Sequence, residues 1–184
     1  YRAVMISLTM MLDNLNCVLG TDFGLSEEEG LMETAIYLPA MTGDVAVFNH
    51  GDCQPAIYSG PFLYWFANQY DLPELYQWQR SKTAAVYRNA YMKDHFLSIL
   101  WYDPSYIEGH AQEDGRKDYF LNSKDYESYA SFRGTLSDGS ELYTAIKGGK
   151  HDLYHSDMDA GTFVLDALGV RWFEDLGKGD YEAP

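Results

Sequence analysis

The sequence predicts an α+β chain in two parts, helices first and an antiparallel sheet after them. Three observations carry this reading. Apolar residues in the first hundred positions recur at helical spacing, punctuated by Gly20, Pro61 and Pro73. That periodicity stops after Trp101, and beyond residue 125 apolar and polar residues alternate. The turn signals change as well, to SDG at 137–139 and Gly169, each set between alternating runs.

The elements follow in order. RAVMISLTMMLDNLNCVL, residues 2–19, predicts a helix stopped by Gly20. Its apolar positions cover most of the helix surface, so burial among other helices is expected. Ser26 with Glu29 three residues on has the capping-box spacing, which predicts a second helix over about 27–42, with Gly30 inside it. Residues 43–60 are turn-rich. Pro61 opens a third helix through Tyr70, Pro73 a fourth to near Lys82, and residues 84–101 read as a fifth. Residues 103–124 have no period and read as a linker. YESYASFRGTL, SDG and ELYTAIKGG then form strand, turn and partner strand, and HSDMDAGTFVLDAL and RWFEDL supply further strands reversing at Gly169. The expected organisation is therefore a helical part over 1–102, a linker over 103–124 and a sheet part over 125–184. Too few strands are present to close a sandwich. An open apolar sheet is a liability, so more sheet is expected beyond Pro184. Tyr1 stands inside the first helix without a Met before it, as expected of a trimmed or internal piece.

Composition narrows the function. Of the 184 residues, 46% are hydrophobic and 16% aromatic, which suits a folded core rather than a disordered tail. A formal net charge of -15 argues against a basic face for nucleic acid. It leaves room for an anionic ligand, because a local field can oppose the global one. Cys17 and Cys53 are too few for a disulfide framework. No apolar run reaches the length of a membrane span, so none is expected.

The stretch HSDMDAGTFVLDALGVRWFEDLG, residues 155–177, holds the densest chemistry. On a regular strand His155, Asp157 and Asp159 share one face. They form either a solvated strand entry or the wall of a site. In a site, two carboxylates beside an imidazole call for a metal, a proton or another cation. Asp175 lies on the next strand, where it could return to their level. Asn49, His50 and Asp52 form either a polar turn or part of a cleft wall. Arg133 either faces solvent or neutralises a carboxylate. Lys147, Lys150 and His151 are either a solvated face or a local attraction for an anion. The dense aromatics from Tyr58 to Trp78 read as core, with a few positions able to stack on sugar rings. LGTDFGLS lacks the spacing of a nucleotide-binding loop.

Residues 155–177 resemble the heparinase II/III family of polysaccharide lyases, which is related to alginate and other uronate-polymer lyases. LGTDFGLSEEEGLMETAIYL (19–38), FNHGD (48–52) and SFRGTL (131–136) add to the resemblance. It implies the C-terminal helices of an incomplete (α/α) toroid followed by the first strands of an antiparallel β-sandwich, the middle of a longer enzyme. It implies β-elimination at a uronic acid, in which the C5 proton is removed and the C4 oxygen expelled. His155 matches the family's catalytic-site histidine. Asp157 stands where relatives often carry a zinc-binding histidine, and Asp175 matches an aspartate ligand. Zinc is thus implied for the full-length parent, with Asp157 and Asp175 as its ligands here. Asp159, Gly161, Thr162 and Phe163 complete the motif. Arg133, Asn49, His50 and Lys150 are the candidate substrate-binding residues. The family's tyrosine, which serves as base or acid, comes from a segment before the first helix, so the fragment is expected to be inactive alone. The implied partner is an acidic polysaccharide such as a glycosaminoglycan or alginate, and the implied place is the periplasm or the exterior. The rival reading is a carbohydrate-binding or structural module of the same fold without chemistry.

Overall fold

This computed structural model describes residues 1–86, 92–107, 117–123, 125–150 and 158–177. The chain divides into two compact units, Tyr1–Tyr37 with Ser59–Gly115, and Leu38–Tyr58 with Arg116–Pro184.

The first unit is helical. Helix α1, Arg2–Leu19, has the predicted bounds and ends at Gly20, whose φ of 71° lets its N–H reach the Asn16 carbonyl at 3.0 Å. It is not buried all round as expected. Met5, Ile6, Thr9 and Leu12 form one buried stripe, while Val4, Met11, Val18 and Leu19 are exposed. By length and composition alone α1 could cross a bilayer, a test that soluble core helices and signal sequences also pass.

The capping box does not form. The Asp22 carboxylate accepts the N–H groups of Gly24 at 3.1 Å and Ser26 at 3.0 Å, and residues 25–27 make a single 3₁₀ turn. Gly30 adopts a φ of 86°, which an α-helix excludes, so helix α2 starts after it and spans Leu31–Ala40.

Helix α3, Phe62–Tyr70, buries its first six residues, and Asp71 turns the chain into α4, Pro73–Val86. The single helix expected over 84–101 is not made. Residues 84–86 finish α4, residues 92–97 are 3₁₀, and α5 is only Ser98–Trp101. It stops where Asn68 takes the Trp101 carbonyl at 2.9 Å and the chain extends at Tyr102. Tyr76 clamps the next residue, donating to the Asp103 carbonyl at 2.6 Å and accepting its N–H at 2.8 Å. Tyr64, Tyr76, Tyr102 and Tyr106 interlock with centroids 4.7–5.9 Å apart, and Trp65, Phe66 and Trp78 are buried. Tyr64, Trp65, Phe66, Tyr76 and Trp78 are core, while Tyr102 and Tyr106 close the cluster toward solvent.

The second unit carries an antiparallel meander, five strands paired in chain order among the described residues. The strands are β1 Tyr119–Leu121, β2 Glu127–Thr135, β3 Glu141–Gly149, β4 Phe163–Ala167 and β5 Val170–Phe173. The predicted hairpin β2–β3 forms, with Arg133 opposite Tyr143 and Tyr129 opposite Lys147. The β4–β5 reversal uses Leu168 at φ 56° and Gly169 at φ 71°, the paired positive angles of a type I′ turn. β1 falls inside the expected linker, where three residues are too few to show a period.

One face of the sheet holds buried Tyr129, Ser131, Tyr143, Ala145, Lys147, Val164 and Asp166, and segment 38–58 lies across it. The other face exposes Phe120, Phe132, Leu142, Ile146 and Phe163. Gly43 passes so close to the inner face that a Cβ there would meet the Asp166 carboxylate at 2.4 Å and the Tyr143 ring at 2.6 Å.

Candidate functional site

Segment 38–58 is irregular, so its backbone groups need partners other than a ladder. Two arginines on the sheet supply many of them. Arg133 on β2 donates from Nη2 to the carbonyls of Pro39 at 2.9 Å, Ala40 at 3.2 Å and Thr42 at 2.7 Å. Its Nη1 pairs with Glu141, and the guanidinium lies 4.6 Å over the Tyr143 ring. Pro39 and Ala40 are the last residues of α2, so the cation also meets the negative end of that helix. Arg171 on β5 grips Asp166 in a bidentate pair at 2.6 and 2.9 Å and donates to the carbonyls of Val47 at 2.7 Å and Ala46 at 2.8 Å. Of the two readings of Arg133, the carboxylate partner is the one found, and both Nη groups are bonded within the chain.

A second cluster sits further along the same face. The ammonium of Lys147 is fully buried and lies 2.7 Å from Glu127 and 2.6 Å from Asp159. Each of these carboxylates holds something else. Asp159 accepts the Gly51 N–H at 2.9 Å, and Glu127 accepts the Tyr129 hydroxyl. The two groups so held meet, because His50, next to Gly51, packs on Tyr129 with ring centroids 4.7 Å apart and on Phe48 at 5.2 Å. Asn49 is buried, donates its amide to the Asp175 carbonyl at 2.9 Å, and faces Arg171 at 3.5 Å. The Asp175 carboxylate accepts the Thr162 hydroxyl and the Gly177 N–H, both at 2.7 Å.

The charges set the protonation states. Burial alone lowers the Lys147 pKa, but the bonds to Asp159 and Glu127 outweigh it and the net shift is upward, so the ammonium persists. His50 is shifted down, first by burial and then by Lys147, against the opposing pull of Glu127, Asp159 and Asp175. A neutral imidazole can take or pass a proton at neutral pH. The shift is also a stability statement. Because the folded pKa lies below the ordinary 6.5, the unfolded chain takes the proton first. Stability from His50 should be complete above pH 6.5 and fall as pH drops through the folded midpoint. Urea unfolding of the wild type and His50→Gln across that range checks this, and equal pH profiles would refute it.

The sequence-predicted residues are therefore placed unequally. Asn49, His50 and Asp175 come together, Arg133 lies on the same sheet face, and Lys150 is exposed, its N–H bonded to the Tyr126 carbonyl at 3.2 Å. His155 and Asp157 lie outside the described residues. Asp159 is not on a strand as expected. It opens a turn in which its carbonyl takes the Thr162 N–H at 2.9 Å and Gly161 adopts φ 91°, so β4 begins only at Phe163. Sequence reasoning missed Glu127, Tyr129, Asp166 and Arg171. It left Lys147 in a basic run although its phase on β3, after Tyr143 and Ala145, points inward.

Of the two zinc ligands implied by the resemblance, only Asp175 lies among the described residues. Both Asp175 oxygens already accept protein hydrogen bonds, and Lys147 already supplies a cation to Glu127 and Asp159. Among the described residues no group of three His, Cys, Asp or Glu side chains is arranged to hold a metal. No protein-family model matches the chain, and no curated protein does.

Proposed function

We propose that the chain is part of a carbon–oxygen lyase that cleaves a uronic-acid-containing polysaccharide by β-elimination and works outside the cytoplasm. In this reading the helical unit is the end of an α/α toroid, and the meander opens a β-sandwich. One observation carries it. The stretches 48–52 and 155–177, which bear the resemblance, are far apart in sequence, yet Asn49 bonds Asp175 and Gly51 bonds Asp159. Asn49, His50, Asp159 and Asp175 thus lie together, drawn from the two stretches. His155 is the proposed catalytic residue, and Asn49, His50, Arg133 and Lys150 the proposed substrate contacts. The test is ultraviolet detection of unsaturated uronate after incubating the full-length parent with a panel of glycosaminoglycans and alginate. The expected result is product from at least one glycan with the parent and little from this chain. No unsaturated product across the panel would count against the reading.

A second reading has its own support. The described polar groups of the corner are largely satisfied by one another, as expected of a non-catalytic carbohydrate-binding or structural module. Retention of the full-length protein on an acidic glycan matrix without product formation would favour it.

A further inference from the structure

The geometry points to Lys147 as the resident cation of this corner, doing for its carboxylates what a bound divalent metal would do, so that the corner is organised without metal. The inference stands whether or not the chain is a lyase. Glu127, Asp159 and Asp175 approach one end of the inner sheet face, and carboxylates gathered away from water need positive charge or donors. All three are answered from within the chain. The Lys147 ammonium lies between Glu127 at 2.7 Å and Asp159 at 2.6 Å. The Gly51 N–H takes the second Asp159 oxygen at 2.9 Å, and Tyr129 takes the second Glu127 oxygen. Thr162 and Gly177 take one oxygen each of Asp175.

The same bonds make Lys147 a positioning residue. Its two partners each orient one member of a ring pair, Asp159 through the amide beside His50 and Glu127 through the Tyr129 hydroxyl. The backbone of Lys147 ties in the turn as well, its N–H donating to the Thr162 carbonyl at 3.1 Å and its carbonyl accepting the Gly161 N–H at 2.8 Å. One side chain on β3 therefore joins β2, segment 38–58 and the 159–162 turn.

The test is thermal unfolding of the whole chain with and without EDTA, for the wild type and Lys147→Met, together with NMR titration of the His50 imidazole. The wild-type Tm should be the same with and without EDTA. Lys147→Met should lower Tm by about 10 °C, since it leaves two carboxylates without their cation. It should also raise the His50 midpoint, because Lys147 holds that midpoint down while Glu127, Asp159 and Asp175 pull it up. A merely space-filling lysine would leave that midpoint where it is. An EDTA-sensitive wild type, or a Lys147→Met variant with the wild-type Tm and His50 titration, would overturn the inference. If Lys147→Met does not fold, the EDTA comparison still decides. Glu127→Gln then replaces it, with a smaller fall in Tm expected and an unchanged Tm counting against the inference.

Discussion

On the proposed reading, replacing His155 with alanine in the full-length parent is expected to lower turnover on a uronate polymer by about 10²–10⁴-fold, the scale of losing a positioned proton-transfer group. The expectation follows from the match of His155 to the catalytic-site histidine in the resembling motif. It also follows from the chemistry, since removal of a proton next to a carboxylate needs a base in the right protonation state. The kinetic pattern separates two roles. Loss of kcat with KM held marks a group acting in the transition state, whereas a raised KM with turnover held marks a substrate contact. Near-wild-type kinetics would take His155 out of the mechanism and remove most of the case for elimination.

Arg133→Ala should be strongly destabilising. The guanidinium side chain is only 8% exposed and its partner Glu141 only 10%, so truncation takes the cation from a carboxylate that has little water to replace it, leaving it the Asp44 N–H at 2.9 Å. It also strips donors from the carbonyls of Pro39, Ala40 and Thr42 and removes the cation above Tyr143. Breaking a buried pair in this way costs about 3–5 kcal/mol. Arg133→Lys should recover only a part, because an ammonium cannot fork between a carboxylate and three carbonyls. Urea unfolding measures both variants, and a loss for Arg133→Ala within the range of an exposed pair, below about 1 kcal/mol, would show that the bonds are not made in solution.

The division into helices and sheet was legible because it rests on periods. A stripe such as Met5, Thr9 and Leu12 repeats every three to four residues, while Tyr143, Ala145 and Lys147 repeat every two. Where one residue's conformation decided the outcome, the period misled. Gly30 at φ 86° cut off the helix start that the Ser26–Glu29 spacing suggested, and Gly161 at φ 91° took Asp159 off the strand its alternation suggested. The site was legible only in pieces. FNHGD and the 155–177 stretch each read as polar and turn-rich, but that Asn49 bonds Asp175 is a fact of tertiary packing across 126 residues. Lys147 shows the same limit. KGGK reads as a solvated basic run, although Lys147 continues the two-residue phase of Tyr143 and Ala145, and its pairing with Tyr129 sets it on the inner face.

The two-piece make-up of the second unit sets an order of events during synthesis. The meander pairs each strand with its neighbour in the chain, so its pairings close over far fewer residues than the segment's contacts do, at a smaller cost in entropy. Segment 38–58 waits much longer. The Thr42 carbonyl meets Arg133 across 91 residues, and the Ala46 carbonyl meets Arg171 across 125. At a translation rate of roughly 5–20 residues per second, those carbonyls leave the ribosome many seconds before their guanidinium partners exist. Water is their partner for that interval. The sheet must then form before it can take the segment back, so the last step in building this unit is the docking of one of its earliest-made parts.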